Sequence, residues 1–170
     1  MNIFIVDKDA AKAAQDLCDK HVVKMILESC QMLSTAHHFY GSAEESPRMY
    51  KAAFAHHPCT KWVTQSRSNY CWLWRHAFEL TNEYRTRFGP RDHKCRAMLS
   101  DALYITPIHQ PELGFTTPAQ AMPEEYKRTG SDYVAAYRAY YLGEKVRFAA
   151  WNRGRTAPDW WVQATENIAE

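Results

Sequence analysis

The sequence predicts an all-α fold: a compact helical bundle with long irregular loops, formed as one domain over residues 1–170. Three observations predict it. Residues 19–40 and 68–88 carry apolar side chains at helical period, and each run ends at a glycine, Gly41 or Gly89. β-Prone character is confined to the isolated run 2–6, too short and too solitary to imply a sheet. A chain of this length buries roughly 70% of its unfolded surface, so it needs neither metal nor disulfide to fold.

The elements follow in order. Asp9 precedes the alanine-rich AAKAAQDLC and serves as N-cap of a short first helix. In the helix over 19–40, Val22, Val23, Ile26, Cys30 and Leu33 fall within about 100° of arc and make a core face. His21, Lys24, Glu28, Gln31 and Thr35 share a separate band about 80° wide, a continuous polar stripe. Residues 41–48 (GSAEESPR) form a loop, 49–56 a short helix, and Pro58 sits in the first turn of a helix starting near His57. In the helix over 68–88, Tyr70, Leu73, Trp74, Ala77, Tyr84 and Phe88 share one face, and Arg75, Glu79, Asn82 and Glu83 the other. Four prolines and two glycines make 106–130 a long loop with at most a turn of helix, a length often tied to function. A last long helix is expected over 132–151, with Ala135, Ala139, Leu142, Val146 and Ala149 on a smooth face. Tyr133, Tyr137, Tyr140, Phe148 and Trp151 lie opposite, and the basic, aromatic tail WNRGRTAPDWW follows.

Composition narrows the function classes. Aromatic residues make up 14% of the chain, more than a small core needs, which assigns some rings to a working surface. Net charge is only +2, yet Arg85, Arg87, Arg91, Lys94 and Arg96 cluster against Asp92 alone. Such a cluster suits phosphate, and equally suits a solvated helix end. The five cysteines are odd in number and form no CxxC pair. With no signal-like start and no apolar run of membrane length, reduced thiols in a cytoplasm are expected. GxGxxG, P-loop, HExxH and Ser nucleophile-elbow motifs are absent, which disfavours the common nucleotide and hydrolase chemistries.

Three constellations carry chemistry. His21, Lys24 and Glu28 stand at i, i+3 and i+7 and can converge on one ligand; an imidazole, an amine and a carboxylate together suit acid–base or Schiff-base chemistry. The plainer alternative is an exposed face with a Lys24–Glu28 ion pair. For metal, Cys18 and His21 and the pairs His37-His38 and His56-His57 lack the closed four-ligand spacing of a zinc site, so neither metal nor cofactor is expected. Arg153, Arg155, Trp160 and Trp161 combine phosphate-binding and base-stacking groups; the alternative is a tail pinned to the core by its tryptophans.

Three segments, in order, resemble the pyrimidine-dimer DNA glycosylase family, which includes phage endonuclease V. DKHVVKMILE (19–28) is similar to an early family helix with Asp, His and Glu at this spacing. HPCTKW (57–62) with LWRHAFELTNEYRTRFGPRDHK (73–94) resembles a later run, and APDWW (157–161) resembles a carboxy-terminal motif. The MNIF start and the DKHVVKM run also resemble small proteins of tailed phages. The resemblance implies an endonuclease V-like helical domain that binds duplex DNA and extrudes a nucleotide, in a bacterial or phage-infected host cytoplasm. No membrane and no obligate protein partner is implied. Glu28 matches the family's catalytic Glu and His21 the His seven residues earlier, with the chain's amino-terminal amine as nucleophile. Lys61, Arg87, Arg91, His93, Lys94, Arg153, Arg155, Trp160 and Trp161 are the expected DNA contacts.

The chain also departs from that family. Asn2 follows Met1, a side chain large enough to block removal of the initiator, and the segment before His21 is longer. Both leave open whether the amine reaches Glu28. The family's arginines beside this Glu are replaced by Leu27 and Gln31, and helical geometry offers Lys24 as a substitute amine. Three functions are therefore carried: a glycosylase/lyase acting on a flipped or modified pyrimidine, a group-transfer enzyme that modifies bases in phage DNA, and a non-catalytic DNA- or protein-binding factor.

Overall fold

Local chemistry sets where each helix starts and stops. The computed structural model describes residues 1–44 and 46–167, and among them the fold is all-α, with seven α-helices and no strand. Helix α1 spans Ala10–Asp16, and the Asp9 carboxylate accepts the Lys12 backbone N–H at 2.8 Å, as its position before the alanines requires. Helix α2 runs Asp19–Tyr40 and ends where the Gly41 N–H returns to the His37 carbonyl. Helix α3 is Pro58–Gln65, with the His57 ring capping the Cys59 N–H. Helix α4 is Arg67–Phe88, closed by Gly89; a Cβ there would meet the Arg85 carbonyl oxygen at 2.2 Å, so only glycine fits this stop.

Helices α1, α2, α3 and α4 pack on one another, and α2 and α4 carry much of the core: Val22, Met25, Ile26, Cys30, Leu33, Tyr70, Leu73, Ala77 and Leu80 are essentially inaccessible. Each large aliphatic side chain buried this way contributes roughly 1.5–3 kcal/mol. Val23 is the exception on the expected core face, 38% exposed. The extended run 2–6 is no strand. It threads through the core with Ile3, Phe4, Ile5 and Val6 buried, turning at Phe4 (φ 57°), a left-handed conformation costly for a phenylalanine.

Three expectations are corrected. Residues 49–56 are not helical, although a 3-10 turn covers Ser46–Arg48. The Tyr50 carbonyl is taken by His38 Nε2, and both the N–H and carbonyl of Ala53 by Thr35 Oγ1, so α2 side chains capture the backbone a helix would need. The last long helix, α6, spans only Tyr133–Lys145. Beyond it the chain is drawn onto α1 and α2: Asp19 N–H donates to the Ala150 carbonyl, Trp151 Nε1 to the Asp16 carbonyl, and Asn152 N–H to the Asp19 carboxylate. On its aromatic side Tyr133, Tyr137 and Tyr141 are buried in the core, while Tyr140 is only half-buried. The periodicity also missed α5 (Arg96–Ser100) and α7 (Asp159–Glu166). The loop before α6 is long as expected, with a single 3-10 turn at Glu124–Tyr126. It is stapled to the α3–α4 junction by Arg67 donating to the Gln110 and Ile108 carbonyls and by Asn69 bonding Thr116. No helix of the described residues is long and apolar enough to cross a membrane.

Candidate functional site

The polar stripe of α2 meets the amino terminus. Met1 N lies 3.7 Å from Glu28 Oε2, and the Asn2 N–H donates to the same oxygen at 3.0 Å. The Met1 and Glu28 side chains are 3% and 14% exposed, so this charge contact is largely shielded from water. Glu28 Oε1 faces Lys24 Nζ at 3.5 Å, one helical turn back. Lys24 itself is 61% exposed, an ion-pair partner at the rim.

Asn2 explains how a longer segment still brings the amine to Glu28. Its side chain is buried: Oδ1 accepts the Ile3 N–H at 2.8 Å and Nδ2 donates to the Ala121 carbonyl at 2.7 Å. The first residues are thus clamped between α2 and the long loop. The buried run 2–6 takes up the extra length inside the core.

His21 stands beside this contact on the wall of a cavity of about 280 Å³ shared with Met1, Asn2, Phe4, Lys20, Lys24 and Glu28. Tyr140, Lys145 and Phe148 close it from the far side. The imidazole stacks on Phe4 with ring centres 4.5 Å apart, and its Nδ1 shares a 2.7 Å hydrogen bond with Tyr141 Oη. Burial first, then the charges of Lys145, Lys24 and Lys20, push its pKa down to about 3. His21 is therefore neutral at physiological pH and stands as an uncharged part of the cavity wall. A second cavity, about 490 Å³, opens on the other side of Glu28 and Met1, lined by Val23, Leu27, Gln31, Phe54, His93 and Lys94 with Lys24.

The expected DNA contacts divide. His93 and Lys94 join Glu28 at the second cavity. Arg153 stacks over Phe88 at 4.9 Å and lines, with Lys20 and Lys24, a shallow surface pocket continuous with the site. Lys61 and Arg91 are exposed, Lys61 beside Trp62 in a separate groove. The other four make their contacts within the fold. Arg87 is buried inside the fold, paired with Glu83 and Asp19 and donating to the Gln15 and Leu17 carbonyls, so its charge is spent internally. Arg155 is tied to the other oxygen of Glu83 at 2.6 Å. Trp161 is buried against Trp151 and Tyr141, and Trp160 donates to Asp16 Oδ2 at 2.8 Å, leaving the tail pinned to the core.

Phe4, Lys20, Phe54 and Lys145 belong to the site without having been singled out by the sequence. Lys20 could have been found, since it flanks His21. The others come from distant segments that only tertiary packing brings here. Among the described residues, no group of three or more His, Cys, Asp or Glu side chains could hold a metal ion.

No curated protein and no solved structure matches the chain. A family model described as pyrimidine dimer DNA glycosylase matches residues 1–96, which carry α1 to α4, the amino terminus and Glu28. Spanning more than half of the sequence, that match makes the chain a member of the pyrimidine dimer DNA glycosylase family.

Proposed function

We propose that the protein excises a damaged or modified pyrimidine from duplex DNA and then cleaves the resulting abasic strand, with the terminal amine as nucleophile and Glu28 as the carboxylate that moves protons. The observation that carries this reading is the 3.7 Å approach of Met1 N to Glu28 Oε2 on the wall between two open cavities. Should Met1 be removed in the cell, Asn2 N becomes the free amine, and it already contacts the same oxygen at 3.0 Å. Either processing state leaves an amine at Glu28.

The chemistry follows from that pair. The amine yields a proton to Glu28 and attacks the sugar C1′. The C1′–N bond breaks, the base leaves with the electron pair and takes the proton that Glu28 had received, restoring the carboxylate, and a second proton of the amine passes to the ring oxygen as the C1′–O4′ bond opens. Ring opening leaves a protonated imine joining C1′ to the protein. Glu28 then removes a C2′ proton, the C3′–O bond breaks with phosphate as leaving group, and water hydrolyses the imine to return the amine. Lys24, exposed and held by its ion pair, neutralises charge at the rim, while neutral His21 shapes the pocket. Lys20, Lys24, Lys94, Lys145 and Arg153 surround the opening and supply the positive field for phosphates.

Borohydride reduction during incubation with abasic-site duplex tests this reading. A covalent protein–DNA complex is expected from the wild type and not from Glu28→Gln. Absence of any complex with the wild type, while duplex is bound, contradicts it. A non-catalytic binding factor would show equal behaviour for both proteins.

A further inference from the structure

Two cysteines from distant parts of the chain meet beside the larger cavity. Cys30 directly precedes Gln31 on α2, and Cys95 directly follows His93 and Lys94. Gln31, His93 and Lys94 line the cavity next to Glu28, while the two cysteines are wholly buried. Both are free thiols. They are hydrogen-bonded to each other, and the Tyr50 hydroxyl stands 3.4 Å from the Cys95 sulfur. The Cys95 backbone N–H donates to His93 Nδ1 at 3.2 Å, which couples the position of that ring to the cysteine.

The two sulfurs are not equivalent. Hydrogen bonding from Cys30 holds the Cys95 thiol below its ordinary pKa and outweighs the opposite effect of burial. The same contact, together with burial, pushes the Cys30 thiol up. One sulfur is thus favoured as a thiolate and its neighbour as the proton-bearing partner. Cys59, by contrast, is pushed up to about 11, chiefly by burial. A thiolate with a protonated thiol in contact is the arrangement by which a peroxide-reactive cysteine is captured as a disulfide. Tyr50, which touches Cys95, is only half-buried, and residues 50–54 have no regular secondary structure. Hydrogen peroxide, little larger than water, reaches the pair through local opening of that segment.

We propose that Cys95 and Cys30 form a peroxide-sensitive dithiol whose oxidation to a disulfide reshapes the cavity beside Glu28. The Cys95 thiolate attacks one oxygen of hydrogen peroxide and the O–O bond breaks. The departing hydroxide takes up the proton that the thiol had released, and Cys95 is left as a sulfenic acid. The Cys30 sulfur then attacks the Cys95 sulfur, the S–O bond breaks, and hydroxide leaves as water with the Cys30 proton. Two thiols are oxidised and one peroxide is reduced to two waters. Joining the sulfurs closes the gap that the hydrogen bond spans, drawing Cys95 toward α2. His93 and Lys94 are carried with it, so the cationic edge of the cavity shifts relative to Glu28. The thiol chemistry is independent of the DNA reading; only its effect on duplex binding rests on that reading.

The test treats the full-length protein with hydrogen peroxide, alkylates the remaining thiols and maps unreduced peptides by mass spectrometry. Wild type should lose the mass of two hydrogens and yield a peptide pair linked through Cys30 and Cys95. Cys18, Cys59 and Cys71 should stay alkylated, and dithiothreitol should reverse the link. Cys30→Ser should instead accumulate Cys95 as a sulfenic acid that dimedone labels. Oxidised wild type should bind abasic duplex at least about threefold more weakly, as expected when a phosphate-facing lysine is displaced. Reduction should restore that affinity, and peroxide should not alter the affinity of Cys95→Ser. No linked peptide in the wild type, or a link through other cysteines, overturns the dithiol. A Cys30–Cys95 link that leaves duplex affinity unchanged overturns its coupling to the cavity. Reduced wild type that binds no duplex would overturn the DNA reading alone, and the linked peptide would still decide the dithiol.

Discussion

Phe4 and Phe54 both sit in left-handed backbone conformations, and both line the cavities that flank Glu28. The two differ in what holds them. Phe4 is 5% exposed and stacked on His21, so packing offsets its strain, whereas Phe54 is mostly exposed and regains little from contacts. Phe54→Gly should therefore raise the unfolding free energy by about 1 kcal/mol in urea titration. A loss of stability instead would mean that the exposed ring contributes packing. At this scale the sequence was partly legible. Glu28, His21 and Lys24 were readable because one helix carries all three at i, i+3 and i+7. Asn2 was read only through its size, since nothing local reveals a side chain that bonds a carbonyl 119 residues away. Phe54 was hidden for a related reason: its segment has helical composition, and the hydrogen bonds that overrule it come from α2.

Among elements, the ends of α1, α2, α3 and α4 follow their caps, because Asp9, Gly41, Pro58 and Gly89 act locally. The carboxy-terminal half was less legible, since α6 stops where long-range hydrogen bonds to α1 and α2 take over. Arg87 shows the same limit for charge. From sequence it belongs to a basic cluster; in the fold, Arg87, Glu83, Asp19 and Arg155 tie α4, the start of α2 and the tail together. Burial raises the pKa of the Glu83 carboxyl, but hydrogen bonds from Arg155 and the charge of Arg87 outweigh it, so the net shift is downward. Glu83→Gln leaves Arg87 buried with half its compensation. It should destabilise the protein by about 3 kcal/mol, read as a lower urea midpoint. An unfolding free energy within about 0.5 kcal/mol of wild type would show that Asp19 alone suffices.

For the whole molecule, buried neutral histidines tie stability to pH. Burial lowers the pKa of His21 to about 3 and that of His76 to about 4, from 6.5. The unfolded chain binds these protons near pH 6.5 and the folded protein does not. Stability is thus fully present above that pH and is lost as pH falls from about 6.5 toward 4. The expected steepness around pH 5 is about two protons taken up on unfolding, checked by urea denaturation at several pH values. A flat profile between pH 7 and 4.5 contradicts the burial of these rings. The chain beyond residue 96 lies outside the family match, yet Tyr140, Lys145 and Phe148 close the cavity around His21 and Ala121 anchors Asn2. The site therefore needs both halves of the molecule.

The proposed chemistry stands or falls with the terminal amine held at Glu28 as the nucleophile. The most direct measurement is to trap the protein on abasic duplex with borohydride, digest both partners, and locate the sugar remnant by peptide mass spectrometry. The account predicts the remnant on the α-amine of the first residue, Met1 or a processed Asn2, and none with Glu28→Gln. A remnant on the Lys24 side chain, or trapping that survives Glu28→Gln undiminished, would contradict it.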